Sequence, residues 1–146
     1  MTQAIVTLVD GMQFMAHTGT GHAFAVDGAP EVGGQNSGAR PMELMAASVA
    51  TCTAMDIISI LRKSKQKVTG LQVRVNAERA NEHPKKFETV HIEYTIVGYD
   101  VSEDRVTRAI ELSENKYCSA IASLRPGVEI KANYKILEAS QEVMLK

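Results

Sequence analysis

Apolar positions along this chain repeat with two different periods, and its longest apolar run follows neither. Ile5-Val6-Thr7-Leu8-Val9 has strand composition, and Asp10-Gly11 separates it from Met12-Gln13-Phe14-Met15-Ala16. Asp-Gly between two such runs is a strong hairpin signal. Gly19-Thr20-Gly21 turns the chain again into His22-Ala23-Phe24-Ala25-Val26, which Asp27-Gly28 closes. Three short antiparallel strands are predicted. Residues 28–40 are dominated by glycine, proline and polar side chains without periodicity, so they predict a loop. A loop of that length leading to a buried helix is either functional or a plain connector.

Residues 41–63 predict one long helix. Pro41 suits a first helical turn, where its missing N–H costs nothing, and Lys63 and Lys65 suit the negative end of the helix dipole. From Leu44 to Leu61 the only non-apolar side chains besides Cys52 are Ser48, Thr51, Thr53, Asp56 and Ser59. A helix apolar all round wants burial all round. At about 1.5 Å per residue it spans roughly 35 Å. A compact chain of this size has a radius of gyration near ~15 Å, so one subunit struggles to cover the helix. A partner copy is the expectation.

Alternation takes over afterwards. Leu71, Val73, Val75 and Ala77 alternate with polar residues, as do Val90, Ile92, Tyr94 and Ile96, and Asn81-Glu82-His83-Pro84 turns between them. A period of two marks half-buried strands, here a long hairpin with one wet face. Ser102 suits an N-cap, with Glu103 and Asp104 in the first turn. Val106, Ala109, Ile110 and Ser113 fall at helical spacing, which predicts an amphipathic helix over 103–116. Residues 117–124 predict a short second helical piece, ended by Arg125-Pro126-Gly127, and 128–137 alternate as a last strand. The tail from Glu138 is ambiguous, with one loose helical turn as the alternative to coil. The order is β-β-β-α-β-β-α-β in one domain over residues 1–146, an α+β fold with mainly antiparallel pairing.

Composition narrows the partners. The chain has 146 residues, 16 basic and 17 acidic, for a net charge of −1. No basic excess calls for nucleic acid, and no block of like charge calls for a membrane surface. The N-terminal residues lack a basic run followed by an apolar stretch, so no secretion signal is read. The apolar part of the long helix carries Asp56 and is slightly short for a comfortable membrane span. A cytoplasmic location is expected. Two cysteines in such a setting point to free thiols or a redox pair rather than a structural bridge.

Cys52 and Cys118 are the candidates for chemistry. Cys52 shares a helix face with Ser48, Val49, Met55 and Asp56. A cysteine on an apolar helix is a small buried hydrophobe unless a cation or donor favours its thiolate. Cys118 lies 66 residues later (118 − 52), where one helix breaks and another begins. Two cysteines outside CxxC spacing, each beside a helical feature, fit an attacking and a resolving thiol. They fit zinc poorly, because a closed zinc site wants four ligands and His17, His22, His83 and His91 show no ligand spacing. No metal or cofactor is expected. By itself Glu43 reads as a dipole-favoured acid, and nucleotide-binding and serine-hydrolase motifs are absent.

The stretch Pro41-Met42-Glu43-Leu44-Met45-Ala46-Ala47-Ser48-Val49-Ala50-Thr51-Cys52 resembles the cysteine helix of the OsmC/Ohr family, the osmotically inducible and organic-hydroperoxide-resistance proteins. Lys116-Tyr117-Cys118-Ser119-Ala120-Ile121 is similar to the surroundings of that family's second cysteine, and the element order matches too. The resemblance implies an intertwined homodimer with long central helices packed back to back and two active sites at the interface. It implies thiol-dependent reduction of organic hydroperoxides, with Cys52 as peroxidatic thiolate, Cys118 as resolving thiol and an external dithiol reductant. It also brings Glu43 and Arg40 into the candidate site. The family's peroxidases carry an N-terminal arginine that stabilises the thiolate, and here the first arginine is Arg40. Their glutamate directly follows the proline, whereas here Met42 does, and Glu43 is rotated about 100° further round the helix. Ser119 stands where the family's second cysteine is usually followed by proline. Arg40 is therefore the candidate cation, from its own subunit or across the dimer. Met42, Met45, Met55 and Phe14 line an apolar pocket or are plain core, with core the safer reading. The rival to the peroxidase is a non-catalytic dimer of the same fold that senses oxidation or binds a small apolar ligand.

Overall fold

The computed structural model describes residues 1–140; the rest of the tail, 141–146, lies outside the described residues. The chain divides into two compact units, Met1–Met45 and Ala46–Lys146.

The first unit is built on the predicted hairpins. Strands β1 (Ala4–Asp10), β2 (Gln13–Thr18) and β3 (Ala23–Val26) form an antiparallel sheet in the order β1-β2-β3. The first turn needs glycine, since Gly11 takes φ 54° between Asp10 and the paired Gln13. β1 is an edge strand without alternation. Both of its faces are apolar and exposed: Ile5, Val6, Leu8 and Val9 each keep more than half their surface in solvent, at 57, 60, 57 and 55%. Buried Asp27 organises the loop after β3. Its carboxylate accepts from the backbone N–H of Gly28, Gln35 and Ser37 and from the Ser37 hydroxyl. Gly34 makes the fold-back possible, because a Cβ there would collide with the Gly28 backbone.

The long helix α1 is Pro41–Lys63, as predicted. Its fully buried residues are Val49, Thr53, Ile57 and Leu61, one stripe at i, i+4 spacing. Burial all round is not what a single chain provides: Met45 and Met55 are exposed, which corrects the core reading for both.

The second sheet has the order β4-β5-β6, with β4 (Lys67–Arg79) antiparallel to β5 (Phe87–Tyr99) as the alternation requires. β6 (Glu129–Glu138) pairs with β5 in parallel. The pairing is mainly antiparallel, as expected, and this edge is the exception among the described strands. A parallel return needs a crossover, which the helical segment between β5 and β6 supplies. That segment is α2 (Glu103–Leu112), a π turn (Ser113–Tyr117) and α3 (Ser119–Leu124). Ser102 sits at the N-cap of α2, but its hydroxyl makes no capping bond. The core of this unit joins the α1 stripe to Val90, Ile92, Tyr94 and Ile96 of β5, Val106 and Ala109 of α2, and Ile121 of α3.

Candidate functional site

Cys52 lies mid-way along α1 and is half-buried, while Cys118 is 2% exposed. Both thiols are free. The sulfurs of Cys52 and Cys118 and a carboxylate oxygen of Asp56 all lie within 4.8 Å of one another. Asp56 belongs to this cluster because it lies four residues after Cys52 on one helix, and residues so spaced stack on one face. Cys118 is delivered by the π turn: its N–H donates to the Ser113 carbonyl at 2.8 Å. π turns recur inside helices at functional sites, where the extra residue re-aims the next stretch of chain. The Arg125 guanidinium braces the turn by donating to the Glu114 carbonyl at 3.0 Å and to Asn115 Oδ1 at 3.2 Å.

Behind the cluster runs a chain of buried hydroxyls. Tyr94 and Thr53 share a hydrogen bond of 2.9 Å, and Thr53 and Ser113 one of 2.8 Å. Ser113 then donates to Asp56 Oδ2 at 2.9 Å. Side chains from α1, β5 and the π turn thus hold the carboxylate in place. Burial raises the Tyr94 phenol well above its ordinary value. The Thr53 hydroxyl opposes this, while the charges of Glu114, Cys118 and Asp56 add to it. Burial also pushes the Cys118 thiol up to about 11. The Ile121 N–H, donating to its sulfur at 3.5 Å, pulls the other way, and the neighbouring Cys52 thiol adds to the rise.

The remaining sequence candidates sit apart from the sulfurs in sequence and pair locally. Arg40 N–H donates to Glu43 Oε2 at 3.0 Å, and Arg40 Nη1 lies 3.4 Å from Glu43 Oε1. That pair closes the first turn of α1, and it holds Glu43 below its ordinary carboxyl value, chiefly through the Arg40 backbone N–H. Among the described residues no histidine joins the cysteine cluster; His91 pairs with Glu78 across the hairpin at 3.0 Å. Sequence reasoning placed Asp56 beside Cys52 without giving it a role. It missed Thr53, Tyr94 and Ser113, whose only signal was a polar residue at a core position. A cleft of about 530 Å³ opens from Asp56 past Ser59 and Ile60 to Lys63, Arg105 and Tyr117.

The family model described as OsmC-like protein matches residues 34–133, a span that holds both cysteines. The chain belongs to the OsmC-like family. Protein YhfA of Escherichia coli strain K12 is 34% identical over 140 residues, covering 94% of this chain and 99% of its own length. A hypothetical protein from Aquifex aeolicus VF5 has the same fold at TM-score 0.83 and 28% identity, over 94% of this chain and 97% of that one. The organic hydroperoxide resistance protein OhrB of Bacillus subtilis superposes at TM-score 0.62 and 15% identity, over 92% and 98%. The OsmC-like fold accounts for the two three-stranded sheets and the long helix, and it extends to proteins of hydroperoxide resistance.

Proposed function

We propose that this OsmC-like protein is a thiol-dependent peroxidase that reduces organic hydroperoxides. The observation that carries the reading is the approach of two free sulfurs, 66 residues apart in sequence, to within 4.8 Å. The likeness to a hydroperoxide resistance protein supports it at the level of the fold.

Cys52 is the attacking group, because it is the more exposed of the two. Its thiolate attacks one peroxide oxygen, the O–O bond breaks, and the departing alkoxide takes a proton and leaves as alcohol. The resulting sulfenic acid condenses with the Cys118 thiol, releasing water and forming a disulfide. An external dithiol then reduces the disulfide to two thiols. Arg40, from the same chain or a partner, is assigned the charge that favours the Cys52 thiolate. In this reading the protein works in the cytoplasm as a homodimer.

The experiment is a thiol count on reduced, chelator-treated protein mixed with cumene hydroperoxide. Both thiols are expected to disappear rapidly, with turnover when a dithiol is present. Cys52→Ser abolishes the loss, Cys118→Ser stops it at a sulfenic acid without an intramolecular disulfide, and Arg40→Ala slows it. Slow loss without turnover overturns the enzyme in favour of an oxidation sensor or ligand-binding protein.

A further inference from the structure

We propose that Cys52, Asp56 and Cys118 form a three-ligand site for a thiophilic divalent cation of the zinc class, with solvent in the fourth position. The inference stands on the geometry of the cluster and does not require the peroxidase reading.

The sequence argued against zinc because no four ligands stood at recognisable spacing. A closed structural site needs four, but an open site needs only three protein ligands and a water. Here three donors of suitable type converge: two sulfurs and a carboxylate oxygen, all within 4.8 Å of one another. Around a tetrahedral ion with Zn–S near ~2.3 Å and Zn–O near ~2.0 Å, donor atoms sit roughly 3.5–3.8 Å apart. Closing the cluster onto an ion therefore asks for shifts of about 1 Å, within reach of side-chain torsions.

The donor set selects the metal. Magnesium and calcium want oxygen ligands and larger coordination shells, whereas two thiolates favour zinc or another soft ion. Two thiolates and one carboxylate against a divalent ion leave one net negative charge, an ordinary balance for a zinc–thiolate centre. Binding must displace the protons of both thiols to solvent.

Two further features fit a ligand cluster. Metal-binding carboxylates are oriented by outer hydrogen bonds, and Asp56 receives one from Ser113, which is bonded to Thr53, in turn bonded to Tyr94. Asp56 also lines the open cleft that runs to Lys63 and Arg105, so one of the three ligands faces that cleft.

The test is titration of the reduced, metal-stripped full chain with Zn²⁺ against a chromophoric chelator, repeated with Co²⁺ as a spectroscopic probe. The expected result is one ion per chain, with a thiolate-to-cobalt charge-transfer band and the visible bands of a tetrahedral ion. Cys52→Ser and Cys118→Ser should each abolish the tight site. Asp56→Asn, which keeps the side-chain shape, should weaken it at least tenfold, and Ser113→Ala should weaken it about 10–100-fold. Circular dichroism on each variant separates lost ligands from lost folding, and prior oxidation of the thiols should eliminate binding. Failure of the wild-type chain to take up Zn²⁺, or uptake that persists in both folded cysteine variants, overturns the site. The thiol count under chelator is unaffected by either outcome, so the two readings fail separately.

Discussion

Single side chains here act mostly through the company the fold gives them. Cys52 and Cys118 are remote in sequence, and the fold brings their sulfurs within 4.8 Å of each other and of an Asp56 carboxylate oxygen. Asp56 is a neighbour by helical spacing, and the Ser113 hydroxyl fixes it by donating to its Oδ2. Asp27 shows the same effect in the first unit. The Ser37 hydroxyl and three backbone N–H groups hold its carboxyl at about 2, against an ordinary value of 3.8. Because the folded value is depressed, the stabilisation is full above the unfolded value and is lost as pH falls through about 4 toward about 2. Asp27→Asn should therefore flatten the acid limb of the urea midpoint between pH 5 and 2. An unchanged slope would show that Asp27 does not set that limb.

At the scale of elements, the strong patterns were legible. Pro41 and an uninterrupted apolar run marked α1, and its observed bounds are those predicted. Alternation marked β4 and β5, because each shows one face to a core. Strand direction was not legible, since alternation is the same read either way; β6 turned out parallel to β5. The π turn was missed for a related reason: apolar spacing does not reveal which carbonyl each N–H takes, and the predicted helix over 103–116 ends as an α-helix at Leu112. Within α1 full burial falls on one stripe, so Ile57→Ala should cost about 2–5 kcal/mol in urea unfolding. A loss under ~1 kcal/mol would mean the stripe is not the helix's anchor.

For the whole molecule, the exposed apolar surface sets the expectation. β1 presents Ile5, Val6, Leu8 and Val9 to solvent along an unpaired edge, and Met45 and Met55 do the same on α1. Natural chains do not leave long apolar edges open, and patches of this kind mark interfaces. Sedimentation at micromolar concentration should give twice the chain mass of 15.9 kDa. Replacing Val6 and Leu8 by lysine should shift it toward the single chain. A wild-type monomer would remove the homodimer from the proposal, and a lysine variant that stays dimeric would remove β1 from the interface.

Periodicity and punctuation were enough to set the helix, the hairpins and the α+β class, because those signals are local and each repeats along its own element. Resemblance in two short stretches, around Cys52 and around Cys118, pointed to the family. The meeting of the two sulfurs with Asp56, and the hydroxyl chain from Tyr94 to Ser113, depended on how α1, β5 and the π turn pack. Residues of different elements, 41 to 66 positions apart, come together there, and no period along the chain encodes which distant neighbour a side chain meets.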